Sequence, residues 1–153
     1  MIELLIVFLI SLLPVLELRG AIVYGFVNGV GPIETYILSV AGNLLPVPFA
    51  VLFIRKLLAW LQTKSKFLDR VIKKRVEGTL SKFSKTKYRS MLAALAIFVA
   101  IPLPGTGAWT GALIAAFLGI RLKTAFPAIA IGVLIAGLIV TCVTYGIKFA
   151  FFT

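Results

Sequence analysis

The chain has 153 residues, of which 61% are hydrophobic, and its mean hydropathy of +1.10 excludes an ordinary soluble globular domain and predicts an integral membrane protein. The formal net charge is +11, from 16 basic and 5 acidic residues. Histidine is absent and the acids are scattered, so a histidine proton relay and a metal site have no basis in the sequence, and we expect no cofactor and no enzyme activity.

The first half opens with two short apolar segments, Ile2–Leu13 and Gly20–Val30, separated by an interruption over Leu13–Gly20. The first segment carries Glu3 and no basic residue where a signal peptide needs a basic region, so we interpret it as retained structure. Each segment reaches under about 20 Å, which is too short for a hydrocarbon core of about 30 Å.

A stretch long enough to cross a bilayer follows at Thr35–Ile54. Its 20 residues are interrupted by Asn43, Pro46 and Pro48. This stretch completes the first membrane unit, residues 1–54, and a strongly basic linker over residues 55–89 comes next.

The linker contains twelve basic residues and only two acidic residues, Asp69 and Glu77. Because it lies between membrane segments, the positive-inside rule explains its charge and places it in the cytoplasm, so we expect no nucleic acid partner. The basic residues are Arg55, Lys56, Lys64, Lys66, Arg70, Lys73, Lys74, Arg75, Lys82, Lys85, Lys87 and Arg89.

The middle of the linker is also patterned, because its apolar residues recur with helical spacing and the basic ones fall between them. This pattern predicts an amphipathic helix that lies on the anionic inner leaflet or covers the cytoplasmic side of the protein itself. The apolar positions are Phe67, Leu68, Val71, Ile72, Val76, Leu80 and Phe83.

The second membrane unit, residues 90–153, repeats the order of the first. Two short segments, Met91–Ile101 and Gly111–Ile120, flank a second interruption, and the 24-residue stretch Thr124–Ile147 follows. In that stretch Pro127 falls in the first turn, where proline is tolerated. A stripe of small residues suits close helix packing there; it consists of Ala128, Gly132 and Ala136.

The short segments allow two topologies. Each pair can join into one kinked span, which gives four spans, or fold back as a re-entrant hairpin. The four-span arrangement puts Arg121 and Lys123 outside, against the positive-inside rule, whereas hairpins bring 14 of the 16 basic residues inside. Hairpins are therefore favoured, with both termini outside; Lys148 is then clearly outside, and Arg19 lies in the membrane.

The fold predicted from this order is an all-α integral membrane protein of two inverted repeats. Each repeat is a re-entrant helical hairpin (residues 2–30 and 91–120) followed by one transmembrane helix (35–54 and 124–147), and the cytoplasmic amphipathic helix joins the two. At an offset of 88 residues Pro14 aligns with Pro102 and Gly31 with Gly119. Interrupted hydrophobic segments at matching places in two halves are the best sequence indication of a transporter's binding site.

Glu17 and Arg19 are the only charges predicted to lie deep in the membrane, which makes them candidates for function. In one interpretation Arg19 attracts an anionic group such as a phosphate, while Glu17 binds a proton or a cation. In the other they form a structural ion pair that holds the hairpin tips together.

The second tip supplies backbone groups instead of charge. Pro102, Pro104, Gly105 and Gly107 cannot continue a helix, so N–H and C=O groups are exposed among them. Thr106 and Thr110 add hydroxyls, Trp109 adds an aromatic wall with one donor, and the helix that begins near Trp109 points its positive end at the tip as an anion site. Further polar residues can line the same cavity or serve as interhelical contacts: Tyr24, Asn28, Asn43, Thr141, Thr144 and Tyr145.

At these two motifs the chain resembles the small multidrug export family. The resemblance covers nearly the whole chain, although members often have proline after the Ala-Ile of the first motif, where this chain has Val23. The matching residues are Glu17-Leu18-Arg19-Gly20-Ala21-Ile22 and Pro102-Leu103-Pro104-Gly105-Thr106-Gly107-Ala108-Trp109-Thr110-Gly111.

More distantly, the layout is similar to the DedA/VTT superfamily of inverted re-entrant hairpins, members of which have been linked to lipid or polyprenyl-phosphate translocation and to proton-driven transport. The resemblance implies a small secondary transporter in the plasma or inner membrane. Its substrate would be lipophilic or a phosphate-bearing lipid. Proton coupling through Glu17 is a further hypothesis, drawn from the predicted depth of that carboxylate in the membrane. A flippase or scramblase without coupling and a non-transporting membrane-organising protein are the alternatives. Because two spans give a cavity little lateral cover, we expect a homodimer surrounded by membrane lipids.

Overall fold

A computed structural model describes residues 1–64, 70 and 85–151, and this part of the chain is helical and contains no strand. The prediction of an all-helical chain is confirmed there. The amphipathic helix predicted over residues 67–83 lies outside the described residues, apart from residue 70. Within residues 1–64 and 85–151 the helices are α1 (Ile2–Leu12), α2 (Glu17–Val27), α3 (Pro32–Leu44), α4 (Val47–Lys64), α5 (Lys85–Ala100), α6 (Ala108–Phe117) and α7 (Leu122–Phe151).

Among the described residues, two helical stretches are long and apolar enough to cross a membrane, Pro32–Lys64 and Leu122–Ile147. The first consists of α3 and α4, which meet at a turn over Leu45 and Pro46 because proline lacks the N–H that would continue the helical ladder. Helix α4 continues ten residues beyond Ile54, where the predicted span ends.

The short helices of the first half run antiparallel. Tyr24, in the last turn of α2, donates a hydrogen bond of 2.6 Å to the Glu3 carboxylate in the first turn of α1. Both helices have 11 residues, which corresponds to about 16 Å of rise. The break between them therefore lies about 16 Å below the level of Glu3.

Tyr145 of α7 reaches the same end of the bundle. Its hydroxyl donates to the Val30 carbonyl at 2.8 Å, just before α3 begins, and lies 2.9 Å from the Thr35 hydroxyl. We call this end, which holds Glu3, Tyr24, Val30 and Tyr145, the Glu3 end.

The opposite end of the bundle holds residues from both ends of the linker. Arg55 of α4 donates to the Ile120 carbonyl at 2.6 Å, and the hydroxyls of Tyr88 and Thr124 are 2.6 Å apart. We call this the Arg55 end. It holds the turn between α6 and α7, whereas the turn between α2 and α3 lies at the Glu3 end.

The stripe of small residues on α7 packs against α5, as the sequence predicts. Ala128 and Ala136 are buried, and a Cβ atom at Gly132 would lie 2.6 Å from both the Ala96 carbonyl oxygen and the Val99 side chain. Helix α7 begins at Leu122, so Pro127 falls in its second turn and not in its first.

Candidate functional site

The starts of α2 and α6 meet inside the bundle, where each helix follows an interruption. The backbone N–H of Trp109, in the first turn of α6, donates to Oε1 of Glu17 at 3.3 Å. The positive end of α6, predicted as an anion site for a ligand, therefore holds the chain's own carboxylate.

Glu17 is only 6% exposed and has φ of +49°. Among the described residues it is the one non-glycine residue with positive φ. A left-handed backbone costs an ordinary residue about 1–2 kcal/mol, and such strain concentrates at ligand sites and switch regions. Helix α2 begins at Glu17, so both charges lie in its first turn and not in the preceding break.

Gly107 makes room for that carboxylate. A Cβ atom at position 107 would overlap the Glu17 carboxyl group, although the backbone there (φ −84°, ψ −167°) suits any residue. Glycine is therefore required by the close approach of Glu17 and not by backbone conformation.

Arg19 joins the first tip to the second. Its Nη2 donates to the Ile101 carbonyl at 3.1 Å and to the Thr106 hydroxyl at 3.0 Å. Its Nε is buried and has no acceptor among the described residues. The half-buried guanidinium therefore keeps one unsatisfied N–H donor. Arg19 and Glu17 contact different parts of the second tip, Arg19 at Ile101 and Thr106 and Glu17 at Trp109.

Trp109 forms a wall on the other side. Its indole N–H donates to the Leu12 carbonyl at the end of α1, at 3.3 Å. The ring also borders an apolar groove of about 560 Å³ that opens at the surface of the bundle. The other residues that line the groove are Leu12, Leu45, Pro46, Phe49, Ala50 and Phe53.

The remaining predicted site residues lie around this centre. Thr106 is half-buried, and its hydroxyl lies 2.6 Å from the Ile101 carbonyl and 2.8 Å from that of Leu103. Thr110 is half-buried in the first turn of α6. The exposed outer part of the second tip is formed by Pro102, Pro104 and Gly105.

Two of the additional polar residues form contacts at the Glu3 end instead of lining the site. Asn28 is exposed and donates to the Tyr24 carbonyl, and Tyr24 bonds to Glu3.

Helix α3 carries a buried stripe of polar residues that the sequence does not make obvious, since Thr35 and Ser39 resemble ordinary small polar residues of a membrane helix. Their spacing of four residues to each other and to Asn43 is the signal that reveals it.

The described residues contain no group of three or more cysteine, histidine, aspartate or glutamate residues able to hold a metal ion. A family model described as "Putative small multi-drug export protein" matches residues 17–139, which begin at the strained glutamate and include the whole second tip. No curated protein and no solved structure matches the chain.

Proposed function

The chain belongs to the small multi-drug export protein family, and we propose that it is a secondary transporter for a lipophilic or lipid-like substrate that binds between the two hairpin tips. The observation that carries this proposal is the buried carboxylate of Glu17, a residue with a strained backbone, at the point where the starts of α2 and α6 meet. An ionisable group at membrane depth is costly and is expected to serve function.

The depth of the tips supports a site near the midplane of the bilayer. With Glu3 near one surface, the 11 residues of α1 carry the chain about 16 Å, roughly half of a hydrocarbon core of about 30 Å. Because α1 and α2 are antiparallel, the chain then returns to the surface that it left, as a re-entrant hairpin does.

Matching turns support an inverted repeat. Gly29 and Gly119 have φ of +73° and +69°, and each is followed by a residue that donates a 2.9 Å hydrogen bond five residues back, Val30 to Gly25 and Ile120 to Ala115. These turns lie at opposite ends of the bundle and are 90 positions apart.

The same offset relates residues that contact one another. Position 17 corresponds to 107, and Glu17 packs against Gly107. Position 19 corresponds to 109, and Arg19 and Trp109 each donate to a carbonyl where the first helix of the opposite hairpin ends. Contact between equivalent positions is expected around a two-fold axis, so we place a pseudo-two-fold axis between the tips.

This geometry suggests how a proton and a substrate compete. An ionised Glu17 accepts the Trp109 N–H at the start of α6 and keeps the tips together. Protonation of Glu17 removes the charge that attracts this donor, which frees it for an anionic or polar group of the substrate, and the unsatisfied Nε of Arg19 offers a second donor. The apolar part of the substrate then lies in the groove beside Trp109.

The groove also favours a second candidate, a DedA-like flippase or scramblase for phospholipids or polyprenyl phosphates. Phe49 and Phe53 on its border are 71% and 68% exposed, so hydrocarbon chains have access from the side. Uncoupled movement of lipid would use the same groove and Arg19, but it would not depend on protonation of Glu17.

The fluorescence of Trp109 tests whether ligands bind between the tips. The chain has two tryptophans, so Trp60→Phe leaves Trp109 as the only one. We expect saturable changes in Trp109 emission on addition of ethidium, a lipophilic cation, or of short-chain phosphatidic acid. The proposed site between the tips would be wrong if a transported probe left Trp109 emission unchanged in the Trp60→Phe protein but altered Trp60 emission in the Trp109→Phe protein.

Arg19→Met separates the two substrate classes in this assay. Loss of a charge-assisted hydrogen bond, worth about 1.5–3 kcal/mol, should weaken phosphatidic acid binding by tenfold or more. Ethidium binding should change little, since ethidium carries no anionic group. Arg55→Met is the matched control because Arg55 lies at the other end of the bundle. Equal binding of phosphatidic acid by both variants would exclude Arg19 as its partner.

Cysteine labelling tests the topology. In a Cys142→Ala background, a membrane-impermeant maleimide should label Glu34→Cys on intact cells and Arg121→Cys only after lysis. Glu34 lies in the first turn of α3 at the Glu3 end, and Arg121 lies in the turn between α6 and α7 at the Arg55 end. Labelling of both positions on intact cells would restore four full spans, and labelling of Arg121→Cys alone would mean that the hairpins are inserted in the opposite orientation.

A further inference from the structure

Helix α3 carries a buried row of polar side chains, Thr35, Ser39 and Asn43, which are 0%, 0% and 2% exposed. They are four residues apart and therefore lie on one face, over about 12 Å of helix. Ser39 Oγ and Asn43 Oδ1 have no hydrogen-bond partner among the described residues. Buried polar atoms are nearly always satisfied, so each exception requires an explanation.

Helix α2 faces this row in antiparallel register. A Cβ atom at Gly25 would lie 2.6 Å from the Thr35 side chain, which fixes these two positions opposite each other. One turn on, Ala21 lies at the level of Ser39, and a further turn brings Glu17 to the level of Asn43.

The level of Asn43 is supported independently by contacts of α1. A Cβ atom at Gly42 would overlap the Ser11 side chain, and the carbonyl of the next residue, Leu12, accepts the indole N–H of Trp109, whose backbone N–H bonds to Glu17. The carboxyl end of α3 and the Glu17 carboxylate are therefore at similar depth.

Helix α7 closes the third side. Its Gly137 is close to Tyr36 and Val40 of α3, and Tyr145 bonds to Thr35. Thr141 lies midway between Gly137 and Tyr145 on the same face, between the levels of Thr35 and Ser39. Its Oγ1 is a third buried oxygen without a partner among the described residues.

From these positions we infer that Thr35, Ser39, Thr141 and Asn43 hold a file of water molecules that conducts protons between the Glu3 end and Glu17. The inference rests on the proposed proton coupling. Groups one helical turn apart have Cβ atoms separated by about 5–6 Å. One water molecule with two hydrogen bonds of about 2.8 Å spans that gap, and hydroxyls, which donate and accept, can relay a proton along it.

Among the described residues around the file, Glu17 is the only carboxylate at the depth of the tips that can accept a proton from the water molecules. On α2, Arg19 accompanies Glu17, and Tyr24 is bonded to Glu3 of α1 at the Glu3 end. Helix α3 contributes Tyr36, bonded to the Leu134 carbonyl, and α7 contributes Tyr145 at the mouth. Helix α6 offers Glu17 the backbone N–H of Trp109 and no charged side chain.

Infrared spectroscopy on the full chain in lipid bilayers tests the file. The carboxylic C=O band that is lost in Glu17→Gln reports protonated Glu17, and its shift after a change from H₂O to D₂O gives the rate of proton exchange. We expect this rate to fall by about tenfold or more in Ser39→Ala and in Thr141→Val, because each interrupts the file. Thr141→Val is nearly isosteric and preserves packing, and Thr141→Ser should retain fast exchange.

Ser11→Ala is the matched control, because Ser11 is also fully buried but its hydroxyl bonds to the Phe8 carbonyl of its own helix. Exchange in this variant should equal that of the wild type. Unchanged exchange in both Ser39→Ala and Thr141→Val would overturn the file and leave coupling at Glu17 intact, and so would equal slowing in Ser11→Ala. Absence of a protonated Glu17 band at every pH would overturn the proposed coupling itself, and the file with it.

Discussion

Gly107→Ala is expected to abolish transport, although it adds a single methyl group 90 positions away from Glu17. The new Cβ atom would overlap the Glu17 carboxylate, so either the carboxylate leaves the N–H of Trp109 or the two tips separate. Overpacking of this kind costs about 1–3 kcal/mol. Flux in proteoliposomes should fall to the level of protein-free liposomes, and thermal stability in detergent should decrease.

Two comparisons show whether the clash with Glu17 is the cause. Gly146→Ala is the matched control, because nothing lies within 4 Å of a Cβ atom there. In a Glu17→Ala background the overlapping atoms are gone, so Gly107→Ala should cost almost no further stability, and the double-mutant cycle should show strong coupling. Additive losses of stability would mean that Gly107 and Glu17 do not touch.

The order of the helices follows directly from the hydrophobic pattern. Four apolar segments too short to span and two long enough to do so appear in the structure as short and long helices at nearly the predicted places. The boundaries of the helices are harder to predict, because helix propensity does not distinguish a break from the first turn of a helix. The sequence predicts that Glu17 and Arg19 lie in a break, whereas in the structure they lie in the first turn of α2.

The partners within the site depend on contacts between distant residues, which a single sequence does not contain. Nothing in the residues around Gly107 indicates that a carboxylate fills the place of its side chain. The offset of 88, read from Pro14 and Pro102, likewise differs from the offset of 90 that relates the turns at Gly29 and Gly119. The two interruptions differ in length, four residues between α1 and α2 and seven between α5 and α6, so the prolines do not occupy equivalent positions.

Glu17→Gln is expected to uncouple transport from the proton gradient. Glutamine keeps the shape of the side chain and an oxygen that can accept the Trp109 N–H, so the tips should still meet. It cannot, however, exchange a proton. Substrate should still bind, and any remaining flux should only equilibrate it. Glu34→Gln is the matched control, since Glu34 is an exposed carboxylate at the start of α3.

The most direct test is accumulation in proteoliposomes under an imposed pH difference, with the membrane potential clamped and with ethidium or short-chain phosphatidic acid as the probe. One pH unit is worth about 1.4 kcal/mol per proton, or about tenfold accumulation at one proton per substrate. We expect such accumulation for the wild type and for Glu34→Gln, and none for Glu17→Gln. Accumulation that persists in Glu17→Gln, or wild-type flux that does not respond to the gradient, would contradict proton coupling through Glu17.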